Sequence, residues 1–214
     1  MKTHILNSSI DSKLQTVVEE QLAAAIARAR AGAPGDKRGA RKADAGAAIV
    51  MDSKSGRIMA MASWPTYNPN IWLEGLSFKQ ASDLFSEAEG VPALSRAIQG
   101  QLAPASTFKV VSLSAAAKAG YDFNAKYNCP ASLKIGNRVF TNYESKGAGL
   151  ISMRTAIALS CDTVWYQIAY DQWVKDGGLS PKRNLNDFFF NAAKGFGFGK
   201  QTGVDLPSES RGRL

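Results

Sequence analysis

The sequence predicts an α+β fold that consists of an N-terminal helix, a β-hairpin and a largely helical remainder. Three observations support this order: helical spacing of apolar residues near the N-terminus, two β-rich runs around a Ser-Lys-Ser-Gly turn, and long helical patterns from residue 106 onward. With 214 residues, 45% of them hydrophobic, the chain can bury a core of its own.

The first helix and the hairpin occupy residues before 65. A helix is predicted over about 11–30, because apolar residues at helical spacing follow a Ser/Asp capping segment and because Gly32 and Pro34 end the pattern. The run AAIVMDSKSGRIMAMAS predicts a hairpin over 47–63. Since an isolated hairpin is only marginally stable, we expect other segments to complete its sheet.

Helical patterns dominate after WPTYNPN, a segment that breaks regular structure. A short helix is predicted over about 78–88 and a stronger one from Ser106 to Gly120. The run GLISMRTAIALSCDTVWYQIAYDQWV predicts two helices interrupted near Ser160, and NDFFFNAAKGFGFG is an apolar, aromatic segment that ends in glycines. We therefore expect an all-helical subdomain after the hairpin.

The net charge of +8 comes largely from one segment that has the composition of a linker. Its basic residues are Arg28, Arg30, Lys37, Arg38, Arg41 and Lys42. The segment is rich in Gly and Ala and has no aromatic residue on which a base could stack, which favours a solvated linker at about 31–45 over a nucleic-acid partner. No stretch reaches the roughly 18 apolar residues of a membrane span, and the first residues lack the apolar core of a signal peptide.

The histidine and cysteine content excludes several kinds of site. The only histidine, His4, lies in a terminal tail, so a nucleophile in this chain needs a different base. Neither a His-rich nor a Cys-rich metal site can be built, and we expect no metal and no cofactor. Cys129 and Cys161 form either one disulfide or two buried free thiols, and the sequence leaves both possibilities open.

The stretch PASTFKVV provides a nucleophile and a base. Ser106 and Lys109 are three residues apart at a predicted helix start, so their side chains share one face about 5–6 Å apart at Cβ. The unpaired N–H groups and the helix dipole at that end favour an alkoxide and disfavour a protonated lysine. A neutral lysine beside a serine is a base beside a nucleophile. The purely structural alternative is that Ser106 caps the helix and Lys109 is a solvated surface residue.

A second hydroxyl group is available in ALSCDTVWY, 54 positions after Ser106. There Ser160 and Asp162 bring a hydroxyl and a carboxylate into an apolar setting, where the hydroxyl could pass a proton between lysine, nucleophile and leaving group. Ser or Asp at this point also predicts an N-cap of the following helix. Capping and catalysis are compatible here.

These motifs and their flanking blocks resemble the transpeptidase domain of class B, monofunctional penicillin-binding proteins, in particular the penicillin-binding protein 2 group. Five blocks follow the order of that family: SIDSKLQTVVEEQL, AAIVMDSKSGRIMAMASWPTYNPN, SRAIQGQLAPASTFKVVSLSAAA, GLISMRTAIALSCDTVWYQIA and GFGFGKQTGVDLPSE. The resemblance implies serine acyl transfer on peptidoglycan stem peptides that end in D-Ala-D-Ala, and acylation of the same serine by β-lactams.

The resemblance also implies a role for each residue. Ser106 matches the nucleophile, Lys109 the base that deprotonates it, and Ser160 the hydroxyl that relays a proton to the leaving amine. Asp162 stands at the Asn position of the Ser-x-Asn box, which some members fill with Asp, and is expected to orient the substrate and Lys109. No cofactor is implied.

The third motif of the family, Lys-Thr/Ser-Gly, is not found in this sequence. Lys200, Thr202 and Gly203 have Gln201 inserted between them and belong to a different block, so we interpret them as a chance similarity. We therefore expect residues 1–214 to form the N-terminal two-thirds of one domain, an incomplete β-lactamase/transpeptidase-like fold that stops at Leu214 before the last strands and the last helix.

The sequence leaves two alternative functions open. PASTFK also resembles class D β-lactamases and β-lactam sensor domains, but their second box is Ser-x-Val, whereas Ser-Cys-Asp favours the transpeptidase. Without the third box, the chain could instead be a non-catalytic peptidoglycan-binding fragment. The resemblance further implies a location outside the cytoplasmic membrane, an N-terminal membrane anchor that this chain lacks, and a membrane glycan polymerase as partner of the parent protein.

Overall fold

The computed structural model of the protein describes residues 7–32, 39–182 and 187–214. His4 and residues 33–38 of the predicted linker lie outside the described residues. The chain divides into two compact units: the first comprises Met1–Gln101 and Val204–Ser210, and the second comprises Leu102–Gly203 and Arg211–Leu214.

The first unit contains the predicted N-terminal helix and hairpin. Its elements are α1 (Ser12–Ala31), β1 (Gly46–Met51), β2 (Ile58–Trp64), α2 (Ile71–Glu74) and α3 (Phe78–Phe85). The side chain of Asp11 caps α1 by accepting a hydrogen bond from the N–H of Leu14 at 2.9 Å. The helix predicted over about 11–30, the hairpin over 47–63 and the short helix near 78 are confirmed.

The two strands pair antiparallel, with an irregularity between Val50 and Met51. The edge of β2 that faces away from β1 is covered, because Gln15 of α1 accepts a hydrogen bond from the Met61 N–H at 2.8 Å and donates one to the Met61 carbonyl at 2.9 Å. On β1, by contrast, Ile49, Val50 and Met51 are exposed. The hairpin is therefore protected on one edge by the helix that precedes it.

The second unit is built around four helices. A 3-10 helix, Ala105–Phe108, leads into α4 (Lys109–Lys118), and α5 (Met153–Ala158), α6 (Asp162–Lys175) and α7 (Phe188–Gly195) follow. Alanines of α4 and α7 are almost fully buried in its core together with Val164 and Ile168 of α6. This core fixes α4 and the start of α6, which carry the predicted site residues. The predicted interruption between two helices near Ser160 is confirmed.

Four short strands in the second unit correct the expectation of an all-helical subdomain. β3 (Tyr127–Cys129) pairs with β6 (Gly149–Ile151), and β4 (Ser132–Ile135) pairs with β5 (Arg138–Thr141), each pair antiparallel. Strands of three or four residues with mostly exposed side chains carry too little apolar alternation to be recognised in a sequence. The α+β class is confirmed, and both pairs lie between the two candidate motifs in the chain.

Candidate active site

Ser106 lies in the 3-10 helix that precedes α4, where it is exposed. The residue before it, Ala105, has a φ of 49°, in the left-handed region that non-glycine residues rarely adopt. Thr107 stabilises this turn by donating its hydroxyl to the Pro104 carbonyl at 2.5 Å. The serine hydroxyl is thus held at a fixed, solvent-accessible position at the start of a helix.

Lys109, the first residue of α4, lies beside Ser106 and is only 9% exposed. Its Nζ lies 3.3 Å from the Ser106 Oγ, 2.8 Å from the Ser160 Oγ and 2.8 Å from the Ser160 carbonyl oxygen. The Asp162 Oδ1 is 2.5 Å away. One buried nitrogen therefore contacts both predicted hydroxyls and the predicted carboxylate, which excludes a solvated surface lysine.

Ser160 occupies the turn between α5 and α6. Its φ of 52° is again left-handed, a conformation that costs free energy and that folded proteins concentrate at functional sites. The Ser160 hydroxyl lies 3.1 Å from the Ser106 Oγ. Ser106, Lys109 and Ser160 thus form a closed triangle of hydrogen-bonding groups across 54 residues of sequence.

Asp162 is the first residue of α6, and its side chain is 17% exposed. A carboxylate at a helix N-terminus is stabilised by the helix dipole. Its Oδ2 accepts a hydrogen bond from the Tyr143 N–H at 3.2 Å, while its Oδ1 pairs with Lys109. The pKa of Tyr166 is raised above its ordinary value, first because its own phenol is partly buried and second because the Asp162 charge lies nearby.

The predicted N-cap of α6 is wrong in detail. The capping position is Cys161 rather than Ser160 or Asp162, and Cys161 makes no side-chain capping hydrogen bond. Asn142, which follows β5, instead accepts the hydrogen bond of the Thr163 N–H through its Oδ1 at 3.0 Å. No sequence pattern indicates this residue, because an Asn-Tyr pair after a short strand has the composition of an ordinary turn.

Cys129 and Cys161 form a disulfide, which decides between the two possibilities that the sequence left open. Both residues are 2% exposed, and the bond joins the end of β3 to the residue between Ser160 and Asp162. The segment Ser160–Asp162 is therefore tied covalently to the β3–β6 pair.

A cleft of about 280 Å³ opens beside Ser160. Its lining includes Asn142, Tyr143, Leu159 and Ser160, and it also contains Glu144 and Lys146. The lining combines apolar and aromatic residues with a few polar and charged ones, as ligand sites commonly do.

The arrangement can perform nucleophilic acyl transfer. It has an exposed hydroxyl as nucleophile, a buried amine within reach as base, a second hydroxyl that contacts both, and a carboxylate that fixes the amine. Among the described residues there is no group of three or more His, Cys, Asp and Glu side chains that could hold a metal ion. Lys200, Thr202 and Gly203 are exposed and form no helix or strand.

A family model of the penicillin binding protein transpeptidase domain matches residues 46–214. The chain belongs to this family. A curated relative, the peptidoglycan D,D-transpeptidase MrdA of Acinetobacter baumannii, is 31% identical over 207 residues, which are 95% of this chain and 26% of that protein. The chain thus spans about a quarter of the length of this relative.

Solved structures of penicillin-binding proteins have the same fold. The structure of Pseudomonas aeruginosa PBP2 in complex with WCK 5153 matches with a TM-score of 0.70 and 26% identity, over 96% of this chain and 40% of that one. A chain from a peptidoglycan synthase complex, described as coordinating polymerization and crosslinking, matches with a TM-score of 0.70 and 30% identity over 91% of this chain and 32% of that one. The incomplete transpeptidase-like fold predicted from the sequence agrees with these matches.

None of the helices in the described parts of this penicillin-binding protein chain is both long and apolar enough to span a membrane.

Proposed function

We propose that this chain carries the acylation site of a peptidoglycan D,D-transpeptidase, with Ser106 as nucleophile and Lys109 as its base. The observation that carries the proposal is the contact of one buried lysine nitrogen with both serine hydroxyls and with Asp162. The substrate would be a stem peptide that ends in D-Ala-D-Ala, as the family name and the relative named D,D-transpeptidase suggest.

The reaction begins with attack of the Ser106 Oγ on the carbonyl carbon of the penultimate D-Ala. Lys109, in its neutral form, takes the serine proton, and a tetrahedral intermediate forms. The C–N bond to the terminal D-Ala then breaks, and its nitrogen receives a proton through Ser160, which contacts both Ser106 and Lys109. The ester on Ser106 passes to the amine of a second stem peptide, which forms the cross-link and restores the serine.

Asp162 has an orienting role in this proposal. Its carboxylate fixes the Lys109 amine within reach of both hydroxyls, and alignment of this kind contributes strongly to rate. β-Lactams, which resemble D-Ala-D-Ala, would acylate Ser106 in the same way.

We further propose that residues 1–214 are part of a larger transpeptidase domain. The exposed apolar residues 49–51 of β1 are suited to packing beside further strands, and a Lys-Thr-Gly strand in that larger domain would contact the substrate carboxylate. The disulfide beside the site suits an oxidising compartment outside the cytoplasmic membrane. We also propose that the parent protein is membrane-anchored and works beside a glycan polymerase; the match to a chain of a peptidoglycan synthase complex that coordinates polymerization and crosslinking supports the polymerase partner.

The experiment is covalent labelling of the full-length protein by a fluorescent penicillin, together with release of D-Ala from a synthetic stem pentapeptide. We expect both in the wild type and neither in Ser106→Ala. Labelling that survives Ser106→Ala would overturn the assignment. Rapid turnover of nitrocefin would indicate a β-lactamase instead, and peptidoglycan binding without labelling would indicate a non-catalytic module.

A further inference from the structure

Asn142 is a buried polar side chain for which the proposed chemistry has no role. It is 7% exposed, and its side chain forms hydrogen bonds with the main chain of three segments. Its Nδ2 donates to the Pro130 carbonyl at 2.9 Å and to the Lys146 carbonyl at 2.7 Å. Its Oδ1 accepts from the Thr163 N–H at 3.0 Å.

The first consequence concerns the start of α6. Cys161 occupies the capping position without a side-chain hydrogen bond, so Asn142 provides the cap from a distant part of the chain. Thr163 is tied down further, because its hydroxyl donates to the Pro130 carbonyl at 2.9 Å. Asp162 lies directly between Cys161 and Thr163, so the direction of its side chain depends on this cap.

The second consequence concerns the other side of Asp162. Asn142 fixes the backbone from which the adjacent Tyr143 N–H donates to the Asp162 Oδ2 at 3.2 Å. The second carboxylate oxygen, Oδ1, is the one that lies 2.5 Å from the Lys109 nitrogen. Asn142 thus controls both the helix that carries Asp162 and the N–H group that orients its carboxylate.

We propose that Asn142 is a positioning residue for acylation, because it holds the Asp162 carboxylate against Lys109. The proposal rests on the proposed function, since it assigns Asn142 to the same reaction. Asn142 touches none of the reacting atoms and acts only through Asp162. Loss of the side chain leaves the Thr163 N–H and two carbonyl groups without this partner, and Asp162 is free to turn away from the lysine. A displacement of about 1 Å in a reacting pair can cost up to about 100-fold in rate.

The test compares the rate of acylation by a fluorescent penicillin in the full-length protein for the wild type, Asn142→Ala and Ser152→Ala. Ser152 is a matched control, because its Oγ caps the neighbouring helix α5 by accepting from the Thr155 N–H at 3.2 Å and makes no contact with Lys109 or Asp162 in the structure. Thermal unfolding of each variant confirms that it is folded at the assay temperature. We expect Asn142→Ala to slow acylation at least about 10-fold and Ser152→Ala to slow it less than about twofold.

A double-mutant cycle distinguishes positioning from a general loss of structure. If Asn142 acts through Asp162, adding Asn142→Ala to Asp162→Ala slows acylation by less than about twofold beyond the single Asp162 variant. Equal slowing in the presence and absence of Asp162, or an unchanged rate in folded Asn142→Ala, would overturn the proposal. Should Asn142→Ala not fold, Asn142→Asp keeps the acceptor for Thr163 and loses both donors. We then expect Asn142→Asp to slow acylation in the wild-type background and to leave the rate of Asp162→Ala unchanged. A wild-type rate of acylation in Asn142→Asp would overturn the proposal.

The outcomes separate this inference from the proposed function. A wild-type protein that is not labelled at Ser106 contradicts the transpeptidase assignment itself. A wild-type protein that is labelled at Ser106, with an Asn142→Ala variant that is labelled equally fast, contradicts only the role of Asn142.

Discussion

The disulfide between Cys129 and Cys161 predicts a large and measurable loss of stability when both cysteines are replaced by alanine. The two residues are separated by 32 positions, and closing a loop of that length restricts the unfolded chain by about 4 kcal/mol in the chain-entropy model. For a protein of this size that corresponds to a decrease in Tm of about 8–16 °C. Both side chains are 2% exposed, so the lost sulfur atoms add a packing penalty in the same direction.

Urea unfolding of the wild type and of Cys129→Ala/Cys161→Ala, each with and without reductant, measures this effect. Reductant is expected to destabilise the wild type by most of the same amount and to leave the variant unchanged, which separates the disulfide from the packing penalty. A wild type whose unfolding midpoint does not respond to reductant, or a variant that unfolds within about 1 kcal/mol of it, would refute the reasoning.

Four further predictions concern single residues. Lys109→Arg introduces a guanidinium that stays protonated and cannot accept a proton, so the rate of acylation by penicillin falls about 100-fold or more, and a wild-type rate in stopped-flow labelling would contradict the role of the base. Ser160→Ala should slow the same reaction by about 100-fold, whereas an unchanged rate would exclude a relay through this hydroxyl. Gly147→Ala would bring a Cβ within 2.9 Å of the Ala131 nitrogen and 3.0 Å of the Cys129 oxygen. We therefore expect the free energy of unfolding in urea to fall by about 1–3 kcal/mol. An unchanged unfolding midpoint would contradict this close contact between backbone segments. Because the pKa of Tyr166 is raised in the folded protein, its phenol ionises at lower pH in the unfolded chain than in the folded one. Stability is therefore lost as pH rises above the ordinary value of about 10, and Tyr166→Phe should reduce that loss. Identical pH profiles of the unfolding midpoint for the wild type and the variant would contradict this prediction.

The proximity of the proposed nucleophile and its proposed base was predictable because their relation is local. Ser106 and Lys109 are three residues apart, and the geometry of a helical turn brings such side chains together whatever the tertiary fold is. Ser160 and Asp162 lie more than 50 positions away, so the sequence could nominate them as a second hydroxyl and a carboxylate, while the resemblance to a family implied their roles beside Ser106. The contact itself depends on the left-handed turn at Ser160 and on the packing of α6, which no local pattern encodes.

The residues that the sequence did not reveal act through long-range main-chain contacts. Tyr143 reaches Asp162 across 19 positions and Asn142 reaches Thr163 across 21, in each case through a hydrogen bond that involves a backbone N–H. Backbone groups carry no side-chain signature, so such contacts are invisible in a sequence. The four short strands that position this segment were missed for a related reason, since most of their side chains are exposed.

The central claim is that Ser106 is the nucleophile of acyl transfer, and mass spectrometry of the acylated full-length protein tests it most directly. Trypsin releases Ser106 within the peptide Ala97–Lys109, in which Thr107 is the only other hydroxyl residue. After exposure to penicillin, we predict one penicilloyl group on this peptide, assigned to Ser106 by fragmentation. An adduct on Thr107 or on a different peptide, or no adduct on a folded full-length protein, would contradict the claim.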